Sequence, residues 1–426
     1  MSAACGRDVR KVLQQLLAKH RGGFLIVLLA VAVSVRVVFV ASRENAVYFP
    51  DSEIYDAIAR GLCSGKGFVQ DEFRQISRPP AYPLFLGACY SVFGHSFLAV
   101  RLLQAVVGAV TCVMIVLLGE YLLHPASGRI AGAVAALYPF FVFFCGLVLT
   151  ETLFTFFLVL AVWLLAKAQR GSAWWAAGSG ATLGAATLLR SSLFLFWGFL
   201  LPFWLLGLGG ERRRAVRSLL AGLLGTAVVM APWVIRNYRI TGGRFVPTTL
   251  MVGRSLYEAN SPDATGGPAM HRIDWEAVKG GAVLTEMEDN DFFRGKALAY
   301  MKEHPGRTLR LAGAKLLRFW NVVPNCSAYR GGKYVAISVL TYGPVLLLGI
   351  VGVVRWRGRP ARAALLCVPV LYFCLLHMVF VGSIRYRTPV MPFVILFAAE
   401  GIRSALWPLD GNEETTEEAG EAEEEA

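Results

Sequence analysis

Apolar residues dominate long stretches of the chain, and polar residues gather in the gaps between those stretches. Runs of about 17 to 25 apolar residues are long enough to cross a bilayer as helices. About ten occur, at 23–41, 97–123, 129–146, 148–166, 173–189, 192–209, 215–235, 334–354, 363–381 and 388–406. Two connections are long and polar, 42–96 and 236–333, and the others are short. The pattern predicts an all-α integral membrane protein. Its parts are a basic N-terminus over 1–22, a transmembrane module over 23–235 interrupted by the segment 42–96, a large loop over 236–333, a second transmembrane module over 334–406, and a tail over 407–426. An even number of spans leaves both termini on one side.

Lys and Arg near span ends mark the cytoplasmic side. One set of connections carries Arg7, Arg10, Lys11, Lys19 and Arg21, then Arg129, Lys167, Arg170, Arg212 to Arg214, Arg217, Arg355, Arg357, Arg359, Arg362 and Arg403. That set is placed inside, so both long segments lie outside, with short turns near Arg190 and at 382–388. The first run is read as an uncleaved anchor, because Arg36 interrupts its apolar core and it is long for a signal peptide.

Composition agrees: 56% hydrophobic and 17% charged residues exclude an ordinary cytosolic enzyme. The net charge of +13 would suggest nucleic acid if it were not already located in membrane-flanking loops. Every charged residue from Asp410 onward is acidic, and this tail reads as disordered. The eight cysteines show no CxxC spacing, so no zinc site is indicated; whether Cys63 and Cys326 pair stays open.

Within the first outer segment, Ile54, Ala57, Ile58, Gly61 and Leu62 share one helical face and Glu53, Asp56 and Arg60 another. This is the pattern of a short helix on the membrane surface. Asp51 at its start is either an N-cap or a carboxylate whose desolvation raises its basicity for proton abstraction. Glu53 reads the same way, with more solvent. Pro79 and Pro80 hold Arg78 in an extended segment near the interface, where it either snorkels to headgroups or binds substrate.

Three further arginines stand where charge is costly. Arg385 and Arg387 lie outside, against the charge bias, before a helix that Thr388 and Pro389 are expected to cap and open. Something anionic should compensate, either a lipid-linked phosphate gripped by bidentate bonds or acidic neighbours. Arg36 lies inside a span and calls for a phosphate or a carboxylate partner. Glu151 opens the fourth span with Thr150 as expected cap, and Arg190 ends the fifth, where a helix C-terminus favours a cation. In the late loop, helices are expected at 289–303 and 306–320 after an irregular half that includes 253–257. Leu309, Ala312, Leu316 and Phe319 make an apolar stripe flanked by Arg307, Arg310, Lys315 and Arg318, which suits a helix lying on the membrane. His271 and His304 have no ligand-like spacing.

Asp51-x-Glu53-x-Tyr55, the glycine break, Arg78-Pro79-Pro80-x-Tyr82-Pro83 and the short helix to Gly94 together resemble the first outer loop of the GT-C glycosyltransferases. The chain is most similar to glycosyltransferase family 39, which includes protein O-mannosyltransferases and bacterial lipid A aminoarabinose transferases. Leu149-Thr150-Glu151, Ala231 to Tyr238, His304-Pro305 and Arg385-Tyr386-Arg387-Thr388-Pro389 extend the match. The resemblance implies an inverting transferase in the cytoplasmic membrane that takes sugar from a polyprenyl-phosphate donor. Transfer would be to a lipid, glycan or protein acceptor on the outer face. Asp51 would be the catalytic base, with Glu151 and Glu53 as further acidic candidates. Arg78, Arg385 and Arg387 would hold phosphate, and Tyr55, Tyr82, Tyr386 and Arg36 complete the substrate-binding set. Asp51 and Glu151 are also placed to share a divalent cation, although two carboxylates are fewer than a hard cation needs. Two competitors remain: an outer-face polysaccharide ligase or polymerase, and a flippase for a lipid-linked sugar, for which Arg36 and His377 are the intramembrane polar residues.

Overall fold

A computed structural model describes residues 21–71, 74–169, 172–200, 212–325, 329–356 and 360–407. Helices follow one another throughout, and no strand occurs among the described residues. They are α1 (Arg21–Ala41), α2 (Pro50–Cys63), α3 (Ala81–Phe93), α4 (Phe97–Leu122), α5 (Pro125–Leu137), α6 (Pro139–Cys145), α7 (Glu151–Ala168) and α8 (Ala173–Leu189). After these come α9 (Arg212–Ile240), α10 (Val252–Ala259), α11 (Trp275–Lys279), α12 (Glu286–Glu303), α13 (Pro305–Trp320), α14 (Gly332–Arg355), α15 (Pro360–Val379), α16 (Ile384–Arg387) and α17 (Met391–Leu406).

Among the described residues, seven helices are long and apolar enough to cross a membrane, or eight with α5 and α6 counted as one bent span. Two of the ten expected spans fall short of that test. Helix α8 has 17 residues, a length of about 26 Å against a hydrocarbon core of about 30 Å. The run 192–209 is described only to residue 200. Helix α8 is held by close approach: a Cβ added at Gly180 would lie 1.8 Å from the Gly222 carbonyl oxygen of α9. Small residues let two membrane helices pack backbone to backbone in this way.

The expected span 129–146 is broken. Tyr138 takes an extended conformation before Pro139, and α5 and α6 meet at 53°. The break frees carbonyl oxygens at the end of α5, and Arg36 answers them. It donates to Ala136 O at 3.0 Å and Ala135 O at 3.3 Å, and within α1 to Ala32 O at 3.0 Å. Gly108 of α4 leaves the room, since a Cβ there would stand 3.0 Å from Arg36 Nε. Among the described residues no carboxylate pairs with Arg36; a kinked helix supplies its acceptors.

The late loop departs from its expected pattern in two places. Residues 253–257 belong to helix α10. On α13 the buried face runs through Leu311, Lys315 and Phe319, while Leu309 is largely exposed. Lys315 can be buried because its Nζ donates to Asn260 Oδ1 and Val379 O, each at 2.9 Å, at the C-terminal end of α15. Burial pulls its pKa down to about 8. Helix α12 opens with a capping box between Thr285 and Glu288, which explains its sharp start. Cys63 is a free thiol, and Cys326 lies outside the described residues, as do the basic N-terminus before Arg21 and the acidic tail.

Substituting Arg36 with Ala leaves the Ala136 carbonyl unanswered, while Ala135 O keeps the Tyr138 amide, and should lower stability by about 2 kcal/mol. Thermal unfolding in detergent should show a clear drop in midpoint; an unchanged midpoint would mean that Arg36 does not hold the bend.

Candidate active site

The segment 42–96, the start of α7, the end of α8, α10 and the approach to α17 enclose one cavity of about 1540 Å³. Its polar centre is assembled from residues far apart in sequence. Pro50 occupies the first turn of α2 after an extended Phe49, and Asp51 follows it. Asp51 makes no capping bond, so the N-cap reading is set aside. Its carboxylate instead accepts from Arg78 Nη2 at 3.2 Å and from Arg385 Nη1 at 2.9 Å.

Arg385 reaches further. Its Nε donates to Glu151 Oε1, which also accepts from Arg190 Nη1 at 3.0 Å. Arg385 therefore stands between the two carboxylates, in the place a shared cation would take. Among the described residues, no three His, Cys, Asp or Glu side chains gather as metal ligands. Glu151 is completely buried, and its Oε2 has no partner. Thr150 does not cap α7; the turn before it is fixed by Gln104, whose Nε2 donates to Cys145 O at 3.1 Å and Leu147 O at 2.6 Å. Gln104 is itself held by Tyr82, whose hydroxyl donates to its Oε1 at 2.8 Å.

Arg385 owes its direction to Ser383, which caps α16 by accepting from the Arg385 amide. The expected cap at Thr388 is absent, because the helical turn begins before it. Tyr386 stacks flat on His377 with centroids 4.7 Å apart, and the Arg190 guanidinium lies 5.3 Å over the same Tyr386 ring. Three guanidiniums thus face two carboxylates. Burial pushes the Asp51 carboxyl up, but Arg385, Arg78 and Arg190 outweigh it and hold it below its ordinary value. The expectation of raised basicity fails for this arrangement, since two of the arginines bond directly to the carboxylate. Burial and the neighbouring Asp51 charge push the Tyr55 phenol up to about 12, so it stays protonated.

Of the residues singled out from sequence, Asp51, Glu151, Arg78 and Arg385 meet directly, and Tyr55 and Tyr386 line the cavity. Glu53 is exposed on the far side of α2. Tyr82 lies behind the site as the support of Gln104. Arg387 turns away: it donates to Phe319 O at 3.2 Å and Asn321 O at 2.9 Å, and its guanidinium sits 3.4 Å from the Tyr342 ring centre. Its compensation is a ring face and the end of α13.

Two participants were undervalued by sequence reasoning. Arg190 pairs with Glu151, which no local pattern could reveal. Glu258 of α10 is buried against the cavity, with Oε1 accepting the amides of Ala269 at 2.6 Å and Met270 at 2.8 Å. Burial raises its pKa despite those amides, and the Asp51 charge adds to the rise. Only its place on an amphipathic stretch amid glycines could have marked it.

Comparison with known proteins places this geometry. Residues 77–235 match the family model described as dolichyl-phosphate-mannose-protein mannosyltransferase. The oligosaccharyltransferase AglB from Archaeoglobus fulgidus, solved with an inhibitory peptide and a dolichol-phosphate, superposes with a TM-score of 0.58. The identity is 14%, over 90% of this chain and 50% of that one. Its apo form gives 0.57 at 14% identity, over 91% and 51%. ArnT from Cupriavidus metallidurans, bound to undecaprenyl phosphate, gives 0.43 at 17% identity, over 90% and 79%. The chain spans about half the length of the archaeal structures it matches. No curated protein matches the sequence. The architecture is the GT-C fold, in a multi-pass membrane protein.

Because the folded pKa of Asp51 lies below the ordinary 3.8, its pairing adds stability above that value and loses it as pH falls through the lower folded value. The thermal midpoint should decline as pH falls below about 4. Asp51→Asn should make the decline shallower, and equal slopes for the two proteins would show that the pairing contributes nothing.

Proposed function

We propose that the chain is an inverting glycosyltransferase that moves a sugar from a polyprenyl-phosphate donor to a hydroxyl of a lipid, glycan or protein. The supporting observation is the Asp51, Arg385 and Glu151 chain of ion pairs, with Arg78 and Arg190 at its ends: Asp51 and the three arginines line one large cavity, and Glu151 is buried behind them. The matched family model carries a lipid-phosphate sugar donor in its description, and the archaeal structure of the same fold holds a dolichol-phosphate.

The chemistry follows from the charges. A lipid phosphate entering the cavity competes with Asp51 for Arg78 and Arg385, since each guanidinium can bond phosphate oxygens bidentately. As the bonds to Asp51 loosen, its carboxylate recovers basicity and is free to face the acceptor. The acceptor oxygen attacks the anomeric carbon while its proton passes to Asp51. The bond from that carbon to the phosphate oxygen breaks, and the electron pair stays on the phosphate, where the guanidiniums stabilise the added charge. Glu151 keeps Arg385 and Arg190 extended toward the phosphate. Glu258 on the opposing α10 offers a hydrogen-bond acceptor to sugar or acceptor hydroxyls.

The positive-inside distribution supports a cavity on the outer face of a cytoplasmic membrane, with both termini inside and residues 42–96 and 236–333 outside. A flippase reading has less support, because the clustered ion pairs sit at helix starts and loops, whereas Arg36 donates chiefly to backbone carbonyls.

In membranes supplied with lipid-linked sugar, Asp51→Asn should reduce transfer by about a hundredfold or more. Full activity in that variant would falsify the assignment of the base. Arg385→Ala should raise the donor KM while the protein still folds, whereas Arg387→Ala should lower the thermal midpoint and leave donor KM unchanged. Release of free polyprenyl phosphate in the parent assay separates a transferase from a flippase.

A further inference from the structure

Helix α7 carries Glu151 at one end and Lys167 at the other, about 24 Å apart along the axis. Around Lys167 lies a second cavity of about 360 Å³, lined by Arg21, Glu120, Tyr121, Arg129, Trp163 and Lys167. It therefore sits at the opposite face of the helical bundle from the ion-pair chain.

Its charges do not balance. Glu120 is the one carboxylate in the lining, and it is shared between Arg21 Nε at 2.9 Å and Arg129 Nε at 3.3 Å. No carboxylate among the described residues pairs with Lys167, whose Nζ rests 4.5 Å from the Tyr121 ring centre and 5.5 Å from that of Trp163. Arg129 is only 4% exposed, yet its Nη1 has no hydrogen-bond partner. A buried guanidinium nitrogen left open is costly and calls for an acceptor. The N-terminus of the 13-residue α5 opens on the same cavity through Pro125; its Ala126 amide is already taken by His124 Nδ1 at 3.1 Å, so it contributes its dipole and no free donor there.

Three cations, a helix N-terminus and one shared carboxylate fit a tetrahedral anion. The rim of Trp163 and Tyr121 at the end of a membrane-crossing helix has the make-up of the headgroup level. We infer that this pocket binds the phosphate of an anionic membrane lipid in the leaflet opposite the large cavity. Arg129 and Lys167 would donate to its oxygens, with the acyl chains lying along the apolar flank of α4 and α7.

Melting the full chain in nanodiscs tests this without any transfer assay. Adding phosphatidylglycerol to phosphatidylcholine discs should raise the midpoint by about 3 °C through preferential binding to the folded state. Lys167→Gln should abolish that rise. Arg355→Gln, which removes an exposed cation from the last turn of α14 at the same end of the bundle, should keep it. Equal midpoints in the two lipids would overturn the inference, as would a rise that survives in Lys167→Gln. Loss of the rise in both variants would reduce the effect to diffuse surface charge. The same rise with inorganic phosphate in pure phosphatidylcholine discs would assign the pocket to a soluble anion and overturn the lipid.

Discussion

One guanidinium ties three distant parts of this protein together. Arg385 donates to Asp51 on the first loop and to Glu151 at the head of α7, and it arrives there from the opposite end of the chain. Bringing a charge into a partly dry site is unfavourable unless every partner is in place. The three segments are therefore fixed relative to one another only when all three groups meet. The surrounding structure serves that meeting: Gln104 shapes the turn before Glu151, Ser383 aims Arg385, and Pro50 sets Asp51 in the first turn of α2.

The basic side chains fall into two kinds, distinguished by what satisfies them. Arg36, Arg387 and Lys315 are buried and donate chiefly to backbone carbonyls freed where a helix bends or ends. They are structural plugs, and removing one leaves orphaned acceptors behind. Arg78, Arg190 and Arg385 instead hold carboxylates that line or back a cavity, where an incoming anion can displace them. Exchangeable partners suit binding, and backbone partners suit permanence.

That distinction marks where the sequence could be read and where it could not. Most span positions, a helix after the first span and the helices flanking His304 and Pro305 follow from periodicity, although Asp56, read on the polar face of that helix, is buried. Arg385 was conspicuous because it breaks a local rule of charge placement, whereas Asp51 and Arg78 stood out through the motif of the first long polar segment. The same rule drew Arg36 and Arg387 into the candidate set, since freed carbonyls and a Tyr342 ring face leave no trace in a linear pattern. The rotation of α13 escaped for a related reason. Lys315 reads as polar, yet Asn260 and the end of α15 make its burial tolerable. Arg190 depends on a partner at the head of α7, one helix earlier in the chain, and Glu258 on two amides of the irregular loop that follows it.

The two long polar segments, 42–96 and 236–333, are also joined through backbone groups. Glu286, at the start of α12, accepts the amides of Gln75 at 2.9 Å and Ile76 at 3.1 Å, and Ile76 O accepts the Leu250 amide at 3.0 Å. Arg236 closes the same seam from the end of α9 by donating to Phe68 O and Gln75 O. Arg78 follows two residues later, so its reach toward Asp51 is calibrated by a loop that begins more than a hundred residues downstream. The late loop is consequently not an interchangeable module. A graft that exchanged residues 236–333 for a foreign segment would have to bring its own counterpart of Glu286, matched to residues 68–78, or the arginine would lose its bearing.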